Sequence, residues 1–261
     1  MKPLLHLAKE VDFMWLFSRM KKRRILENQE KMPDHIAIIM DGNRRWADKK
    51  GYPRSLGHRE GANNLKRIVK DCNKMGLKFL TAYAFSTENW SRPKSEVDTL
   101  MSLLKEFLRD ADKTLSGENI RIKVIGETAG LSEAIVNEIK AVVRNSEKNT
   151  GLTLVIALNY GSRNEIVNAA ARIAKDVQGG RLMPEDIDEK LFSNYLYTAG
   201  VPDPDLVIRP SGENRISNFL LWQSSYAEFW YSDILWPDFT TDDLLRAIGD
   251  YQKRDRRYGG L

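Results

Sequence analysis

A carboxylate and two guanidinium groups directly follow the first long apolar run of the chain, residues 35–40. The residues after this run are Asp41, Gly42, Asn43, Arg44 and Arg45. Arginine presents planar donors that match phosphate oxygens, and a carboxylate beside phosphate is a ligand set that Mg²⁺ prefers. Gly42 lets the backbone approach an anion, and a helix beginning there directs its positive end to the same point. The motif predicts a phosphate site with Asp41 as a Mg²⁺ ligand, whereas a simple helix cap is the alternative for Asp41 alone.

Three further polar clusters follow apolar runs, at residues 86–92, 159–163 and 209–218. Because ligands of open α/β sheets bind at the carboxyl ends of the strands, we expect these clusters to meet at one edge. The cations available there are Arg44, Arg45, Arg92, Arg209 and Arg215, with Arg54 and His58 nearby. So many cations at one edge favour two diphosphates over one monophosphate.

The elements that must position these clusters can be predicted from hydrophobic spacing. Strand candidates are residues 35–41, 78–85, 120–126, 152–159, 205–209 and about 228–233. Helical spacing of apolar residues occurs in 65–75, 100–111 and 166–177. Short apolar strands separated by helices predict a parallel sheet that is covered on both faces. We expect one α/β domain, residues 32–261, after an N-terminal helical extension, residues 1–31.

Composition excludes several classes of protein. The chain has 261 residues, and its single cysteine rules out an internal disulfide or a cysteine zinc site, which suits a cytoplasmic protein. No apolar run reaches the roughly 18 residues of a membrane span, and charges interrupt the N-terminus too often for a signal peptide. The net charge is +5, but residues 32–261 carry only +1 of it, so a nucleic-acid partner is not expected.

The remaining positive charge lies in residues 1–31, where Phe13, Trp15 and Phe17 stand beside the basic run "RMKKRR". A helix lying on an anionic membrane surface has this composition, which would make the protein peripheral at the membrane. A helix that packs on its own domain and leaves its basic end in water would have the same composition. Both interpretations stay open at this point.

Familiar phosphate motifs are absent from the chain. There is no G-x-x-x-x-G-K-[ST] loop, no G-x-G-x-x-G turn and no DDxxD pair. An apolar strand that ends in aspartate could mark an aspartyl-nucleophile phosphatase. That chemistry requires a second aspartate two residues later, where this chain has Asn43.

Five long motifs resemble those of one family, the cis-prenyltransferases of the undecaprenyl diphosphate synthase type. They are "HIAIIMDGNRRWA", "RSLGHREGA", "AYAFSTENWSRP", "GLTLVIALNYGSR" and "DLVIRPSGENRISNFLLWQSSYAEFWYSDILWPDF". They lie between residues 35 and 239 in the family's order, and the resemblance covers about residues 32–257. The resemblance implies a six-stranded, mainly parallel sheet flanked by helices, an apolar product tunnel and a homodimer.

The resemblance also implies an activity. The enzyme would be Mg²⁺-dependent and would condense isopentenyl diphosphate onto an allylic diphosphate, with farnesyl diphosphate as the starter. Its product would be a long polyprenyl diphosphate, namely undecaprenyl diphosphate, the precursor of the lipid carrier for cell-wall polysaccharides. A phosphatase and a non-catalytic partner subunit are the alternatives. Such subunits tend to lose the strand-one acid and the phosphate-binding arginines, which this chain keeps.

Roles are transferred residue by residue from the matching motifs. Asp41 would be the essential acid and a Mg²⁺ ligand, with Glu228 as a second ligand. Asn89 is the position of the family's proposed proton acceptor; because asparagine is a poor base, a relay to phosphate or to Asp41 is the alternative. The allylic side would comprise Gly42, Asn43, Arg44, Arg45, Trp46, Arg54 and His58. The reacting ends would be framed by Ser86, Thr87, Glu88, Trp90 and Arg92. The isopentenyl side would comprise Arg209, Arg215, Ile216 and Ser217.

The chain departs from the family pattern at several positions. Asn214 stands where many members have histidine, and Pro210-Ser211 replaces the commoner Thr-Gly or Thr-Ser. The segment before Met32 is longer than in many bacterial relatives. The terminal run "RRYGG", residues 256–260, resembles the family's Arg-x-Gly tail, which reaches a neighbouring subunit.

Overall fold

The computed structural model describes residues 22–255, apart from the side chains of Asp112 and Ser116. Its centre is a six-stranded sheet in the order β3-β4-β2-β1-β5-β6, in which every neighbouring pair is parallel. The strands are β1 (His35–Ile39), β2 (Phe79–Ser86), β3 (Arg121–Ile125), β4 (Thr153–Tyr160), β5 (Leu206–Pro210) and β6 (Glu228–Ser232). The predicted six-stranded parallel sheet is confirmed, and each strand lies within two residues of its predicted bounds.

Helices connect and follow these strands. They are α1 (Asn43–Lys50), α2 (Arg54–Lys74), α3 (Lys94–Thr114), α4 (Glu133–Ser146), α5 (Ser162–Gln178), α6 (Glu189–Tyr195) and α7 (Thr241–Tyr251). The three segments with helical spacing are confirmed as parts of α2, α3 and α5. The sequence analysis did not single out α4, α6 and α7, although each begins at a capping residue. The side chains of Ser132, Asp188 and Thr240 accept hydrogen bonds from backbone N–H groups of the first turns.

Strand β1 forms the middle of the core because each of its five residues is buried. Such continuous burial is typical of a parallel strand that is covered on both faces. Its first residue, His35, is tied to β2 by a contact of 2.7 Å between Nε2 and Thr81 Oγ1. Burial lowers the pKa of His35 to about 4, although the Pro202 carbonyl partly opposes this, so the ring is neutral and structural.

The register of the sheet brings three strand ends to one edge. Ile39 pairs with Tyr83 on β2, and Ile38 pairs with Ile208 on β5. The segments that follow β1, β2 and β5 therefore leave the sheet side by side. These are the segments in which the sequence has its polar clusters.

The chain divides into two compact units. The sheet and helices α1 to α6 belong to one unit, Asp34–Phe239, and the described residues 22–33 and 240–255 belong to the other. Within the smaller unit, residues 22–27 are helical, Ile25 is buried, and Gln252 Nε2 donates to the Ile25 carbonyl at 3.0 Å. The predicted boundary at residue 32 stays a prediction.

The two interpretations of the N-terminal segment can be compared only over residues 22–31. Lys22 forms an ion pair of 2.6 Å with Asp242. At least one cation of the N-terminal segment therefore contacts the protein itself. Phe13, Trp15 and Phe17 lie outside the described residues, as does the tail at 256–260. Across residues 22–255, no helix has both the length and the apolar character that crossing a membrane requires.

Candidate active site

A cavity of about 870 Å³ opens at the carboxyl ends of the strands. Its mouth is lined by Asp41, Asn43, Arg44, Arg45, His58, Glu88, Asn89, Arg92, Arg209, Glu213, Arg215, Ser217 and Asn218. Its interior is lined by Ala62, Leu65, Ala84, Phe85, Leu100, Met101, Leu103, Leu104, Phe107, Ile156 and Leu158. A charged mouth thus leads into an apolar interior between α2, α3 and the central strands.

Asp41 is placed by the turn between β1 and α1. Gly42 caps α1 with φ of +98°, a conformation that side chains rarely adopt. A Cβ atom at Gly42 would lie 2.9 Å from Leu235 Cδ2, so the turn also needs the missing side chain. The N–H of Gly42 donates to Asp41 Oδ1 at 2.6 Å, and the N–H of Trp236 donates to the Asp41 carbonyl at 3.0 Å. The carboxylate is therefore held in one position by the backbone.

Two arginines approach Asp41 from different elements, Arg45 from α1 and Arg209 from β5. Arg209 Nη2 donates to Asp41 Oδ2 at 2.8 Å, and Arg45 Nη2 donates to Oδ1 at 3.2 Å. Partial burial alone would raise the pKa of Asp41, but the hydrogen bond and charge of Arg209 and the charge of Arg45 outweigh it and hold the pKa below its usual value. Asp41 is therefore a carboxylate at neutral pH.

Arg45 is oriented by the loop after β5. Its Nη1 donates to the Ser211 carbonyl at 2.8 Å, and its Nη2 donates to Ser211 Oγ at 2.7 Å. Glu213 lies 3.5 Å from Arg45 and 2.5 Å from Arg215, so it bridges two cations of the mouth. Ser211 and Glu213 were not assigned site roles from sequence.

Arg209 is the most deeply buried cation of the mouth, with 4% of its side chain exposed. Its Nη1 donates to Ser217 Oγ at 2.7 Å and to the Arg215 carbonyl. Its Nε is buried and has no hydrogen-bond partner among the described residues. An unpaired buried donor is costly, which points to a ligand oxygen at this place.

Two arginines and a histidine on the other side of the mouth surround Glu96, whose side chain is 11% exposed. Arg92 Nη1 lies 2.8 Å from Glu96 Oε1, Arg44 lies 3.7 Å from Oε2, and His58 Nε2 lies 3.6 Å from Oε1. Burial lowers the pKa of His58, although Glu96 opposes this, so the imidazole is neutral near pH 7. Glu96 was not assigned a site role from the sequence.

The loop after β2 supplies the next part of the mouth. Asn89 Oδ1 accepts a hydrogen bond of 3.2 Å from the Ser86 N–H, so its oxygen is already engaged. Glu88 Oε1 accepts from Asn218 Nδ2 at 2.8 Å, and Thr87 Oγ1 contacts Glu88 Oε2 at 3.3 Å. Ser86, Glu88 and Asn89 line the cavity, whereas Thr87 does not.

Several predicted site residues lie away from the cavity lining. Trp46 is buried against Ala47 and Leu235 and donates to Asp238 at 2.7 Å. Trp90, 40% exposed, donates from Nε1 to Asn159 Oδ1 at 2.7 Å. The other residues outside the lining are Arg54, which pairs with Asp48 at 3.2 Å, and Ile216. These side chains support neighbouring elements.

Glu228 is also distant from Asp41 within one chain. It begins β6 and pairs in register with Leu206, which pairs with Ile36 at the start of β1. Asp41 comes five residues after Ile36, which at about 3.3 Å per residue is a separation of roughly 16 Å along the strands. The two carboxylates proposed as Mg²⁺ ligands therefore do not converge in the single chain.

The donor set at Asp41 fits Mg²⁺ only together with substrate. Among residues 22–255, no cluster of three or more His, Cys, Asp or Glu side chains could hold a metal ion. Mg²⁺ usually binds through one or two carboxylates together with phosphate oxygens and water. An ionised Asp41 beside the arginines of the mouth supplies one such carboxylate.

Comparison with known proteins agrees with this geometry. A family model described as "Putative undecaprenyl diphosphate synthase" matches residues 39–259. An isoprenyl transferase of Clostridium perfringens is 51% identical over 251 residues, which cover 96% of this chain and 99% of the relative. An isoprenyl transferase of Bacillus subtilis is 51% identical over 243 residues, which cover 93% of each chain.

Solved structures show the same fold. Lavandulyl diphosphate synthase from Lavandula x intermedia, in complex with dimethylallyl diphosphate, is 40% identical with a TM-score of 0.86, covering 89% of this chain and 100% of that one. A probable undecaprenyl diphosphate synthase from Campylobacter jejuni is 32% identical with a TM-score of 0.73, covering 87% and 99%. The chain therefore belongs to the undecaprenyl diphosphate synthase family of isoprenyl transferases.

Proposed function

We propose that this isoprenyl transferase condenses isopentenyl diphosphate units onto an allylic diphosphate to make a long polyprenyl diphosphate. The observation that carries the proposal is the cavity of about 870 Å³, in which a mouth rich in arginine leads into an apolar interior. The diphosphates would lie at the mouth, and the growing hydrocarbon would enter the interior, which then serves as the product tunnel. Small residues there, Ala62 and Ala84, leave space for the chain.

The mouth offers two neighbouring places for diphosphate. Arg44, Arg45 and His58 would bind the allylic diphosphate on one side of Asp41. Arg209, Arg215 and Ser217 would bind isopentenyl diphosphate on the other. The support is that Asp41 contacts one arginine from each set, Arg45 at 3.2 Å and Arg209 at 2.8 Å. The bound dimethylallyl diphosphate of the lavender relative is an allylic diphosphate of the same class.

Asp41 is the residue of this chain that would hold Mg²⁺, because its carboxylate is ionised and lies between the two diphosphate places. Bound Mg²⁺ would neutralise charge that develops on the departing diphosphate. The surrounding arginines would do the same through fixed hydrogen-bond donors, which is an electrostatic contribution to catalysis.

In the reaction, the bond between C1 and oxygen of the allylic substrate breaks and diphosphate leaves. The isopentenyl double bond forms the new bond to C1, and a proton is lost from C2 of the isopentenyl unit. Asn89 is an unsuitable base because an amide is scarcely basic, and its side-chain oxygen also accepts from the Ser86 N–H. The low pKa of Asp41 makes it a weak base as well, so we assign the proton to the departing diphosphate.

We further propose that farnesyl diphosphate is the starter and undecaprenyl diphosphate the product, which would supply the lipid carrier for cell-wall polysaccharides. We also propose a homodimer. Its support is that β6 is an edge strand of the sheet, flanked by the exposed ring of Tyr226 and carrying the partly exposed ring of Tyr231. Edge strands with exposed aromatic residues are surfaces that natural proteins usually cover.

Incubation of the purified protein with farnesyl diphosphate, radiolabelled isopentenyl diphosphate and Mg²⁺ tests the proposal. We expect labelled lipid, whose length is measured by chromatography against polyprenol standards. Release of inorganic phosphate without lipid would support a phosphatase, and the absence of any turnover would support a non-catalytic partner subunit. Either result would contradict the proposal.

A further inference from the structure

The segments that follow β2, β4 and β5 meet at one side of the cavity mouth, where the side chain of Asn218 joins them. Asn218 Nδ2 donates to Glu88 Oε1 at 2.8 Å. The N–H of Arg163 donates to Asn218 Oδ1 at 2.8 Å, and the N–H of Ser162 donates to the Asn218 carbonyl at 2.8 Å. One residue therefore links three segments that are far apart in the sequence.

The chemistry of these contacts fixes the orientation of the Asn218 amide. Its oxygen faces a backbone donor and its nitrogen faces a carboxylate, so a rotated amide would place oxygen against oxygen. Both polar atoms are thus occupied by protein groups. Asn218 lines the cavity, and each polar atom of its amide contacts a protein group.

The backbone at Asn218 also sets the position of Ser217. Both residues have positive φ, +62° at Asn218 and +48° at Ser217, and asparagine tolerates this region better than most residues. Ser217 Oγ accepts a hydrogen bond from Arg209 Nη1 at 2.7 Å. The hydrogen bonds from residues 162 and 163 hold the turn that brings this hydroxyl to Arg209.

Gly161 leaves the space in which the three segments meet. A Cβ atom there would lie 2.8 Å from Asn218 Nδ2 and 2.5 Å from Thr87 Oγ1. Both distances are shorter than side chains tolerate. The junction at Asn218 is therefore a close-packed feature of the mouth.

We propose that Asn218 is a positioning residue for the isopentenyl diphosphate side of the site, holding Ser217 against Arg209 and fixing the Glu88 carboxylate. The inference rests on the function proposed above. A carboxylate that swung freely at this mouth would repel a diphosphate, because like charges interact strongly where water is partly excluded. Holding Glu88 at a fixed place and Ser217 in a fixed turn favours the binding of one substrate.

The test compares Asn218→Asp and Asn218→Ala with the wild type by calorimetric titration. The ligands are isopentenyl diphosphate and farnesyl thiodiphosphate, a slowly reacting allylic analogue. Near pH 8, we expect both variants to bind isopentenyl diphosphate about tenfold more weakly, the effect of losing one hydrogen bond to a charged group. Binding of the allylic analogue should change by less than about twofold, since Arg44, Arg45 and His58 keep their contacts.

The Asn218→Asp variant adds a pH signature that a general loss of structure would not produce. Its introduced carboxylate would keep the acceptor for the Arg163 N–H but would face the Glu88 carboxylate. Two such carboxylates share a proton with a raised pKa, so their hydrogen bond forms below that pKa and is lost above it. We compare each variant with wild type at the same pH. As pH is lowered from about 8 to about 6, the affinity of Asn218→Asp for isopentenyl diphosphate should rise toward that of wild type, whereas that of Asn218→Ala should not.

The other titratable group facing Glu88 within the described chain is Tyr83. Burial, and then the charge of Glu88, hold the pKa of its phenol above the usual value, so it stays protonated throughout this range. A matched control is Asn168→Asp, because Asn168 Nδ2 donates to Glu127 Oε1 at 2.6 Å in a pair that does not line the cavity. It should lower the melting temperature but leave both affinities unchanged.

Two results would overturn the inference. One is wild-type affinity for isopentenyl diphosphate in both Asn218 variants. The other is an equal loss of both ligands, or the same loss in Asn168→Asp. Binding is measured without turnover, so a failed product assay would count against the proposed function while these comparisons still decide the role of Asn218.

Discussion

Asp41 connects the two halves of the mouth, because its two carboxylate oxygens are contacted by Arg45 of α1 and Arg209 of β5. Its backbone is fixed by the N–H of Trp236, and its charge is stabilised by Arg209 and Arg45. Removing the carboxylate leaves the strand and its turn in place, since the side chain contributes little to the apolar core. Loss of Asp41 should therefore affect chemistry more than folding.

We expect Asp41→Ala to lower kcat/KM by far more than tenfold, which is more than about 1.4 kcal/mol in the barrier. Asp41→Asn, which keeps the shape and removes the charge, should lose nearly as much. Labelled product formed per unit time measures the effect, and circular dichroism controls for folding. A variant that keeps over a tenth of the activity would argue against a central role for this acid.

The depressed pKa of Asp41 has a consequence for stability. The carboxylate is more strongly ionised in the folded chain than in the unfolded chain. Its contribution to stability is therefore complete above the unfolded pKa of about 3.9 and is lost as pH falls through the lower, folded pKa. The difference in stability between wild type and Asp41→Asn should be constant above about pH 4 and shrink as pH falls below it. Thermal melts measure it, and a difference that begins to shrink well above about pH 4, or that persists unchanged far below it, would contradict this assignment.

The arginines should separate the two substrates. Arg215→Ala should mainly raise KM for isopentenyl diphosphate, and the same holds for Arg209→Ala, because Arg209 contacts Ser217 on this side. Arg45→Ala should mainly raise KM for the allylic substrate. Steady-state kinetics with each substrate varied in turn would show which KM each change raises. Equal effects of all three changes on both KM values would contradict the assignment of two separate diphosphate places.

At the scale of elements, the contact between α1 and α2 depends on two glycines of α2. A Cβ atom at Gly57 would lie 2.2 Å from the backbone oxygen of Asn43, and one at Gly61 would lie 2.4 Å from Asn43 Oδ1. The first clash is with backbone and the second with a side chain that can turn away. The two substitutions should therefore have different consequences.

We expect Gly57→Ala to lower the free energy of unfolding by about 1–3 kcal/mol, the usual effect of overpacking. Gly61→Ala should cost less stability but should weaken binding of the allylic analogue, because Asn43 is displaced at the mouth. Chemical denaturation and calorimetric titration measure the two effects. Gly117→Ala is the control, since a Cβ there meets nothing within 4 Å. A larger loss of stability in Gly61→Ala than in Gly57→Ala, with weaker binding of the allylic analogue only in Gly57→Ala, would contradict this description of the contact.

The sequence allowed the sheet, the main helices and the edge that holds the site to be predicted, because each depends on local spacing. Continuous apolar runs such as residues 35–39 are visible without the structure. The role of Glu96 was not visible, since Arg44, His58 and Arg92 reach it from three separate segments. The role of Asn218 was missed for the same reason. The distance from Asp41 to Glu228 depends on the register of the strands, which short motifs do not encode.

At the scale of the whole molecule, the N-terminal segment has a packing role over its described part. Ile25 is buried, and a Cβ atom at Gly249 would lie 2.8 Å from Ile25 Cδ1, so the glycine permits a close approach. We expect a chain that begins at Met32 to melt at a lower temperature than the full chain. Differential scanning calorimetry measures this, and an unchanged melting temperature would contradict the packing role.

Membrane contact is a separate property of the same segment. Sedimentation with anionic and neutral vesicles, at low and high salt, compares the full chain with the chain that begins at Met32. If residues 1–31 contact lipid, only the full chain should bind anionic vesicles, and salt should weaken binding because each basic residue contributes about 1 kcal/mol near the surface. Equal binding by both chains would remove this role.

The central claim is that diphosphate binds at the mouth beside Asp41 while hydrocarbon fills the cavity between α2 and α3. A crystal structure of the full chain with farnesyl thiodiphosphate and Mg²⁺ tests it most directly. We expect diphosphate oxygens within hydrogen-bond distance of Arg44 and Arg45, and the prenyl chain in contact with Leu104 and Phe107. A diphosphate bound elsewhere, or a prenyl chain lying on the surface with the cavity closed, would contradict it.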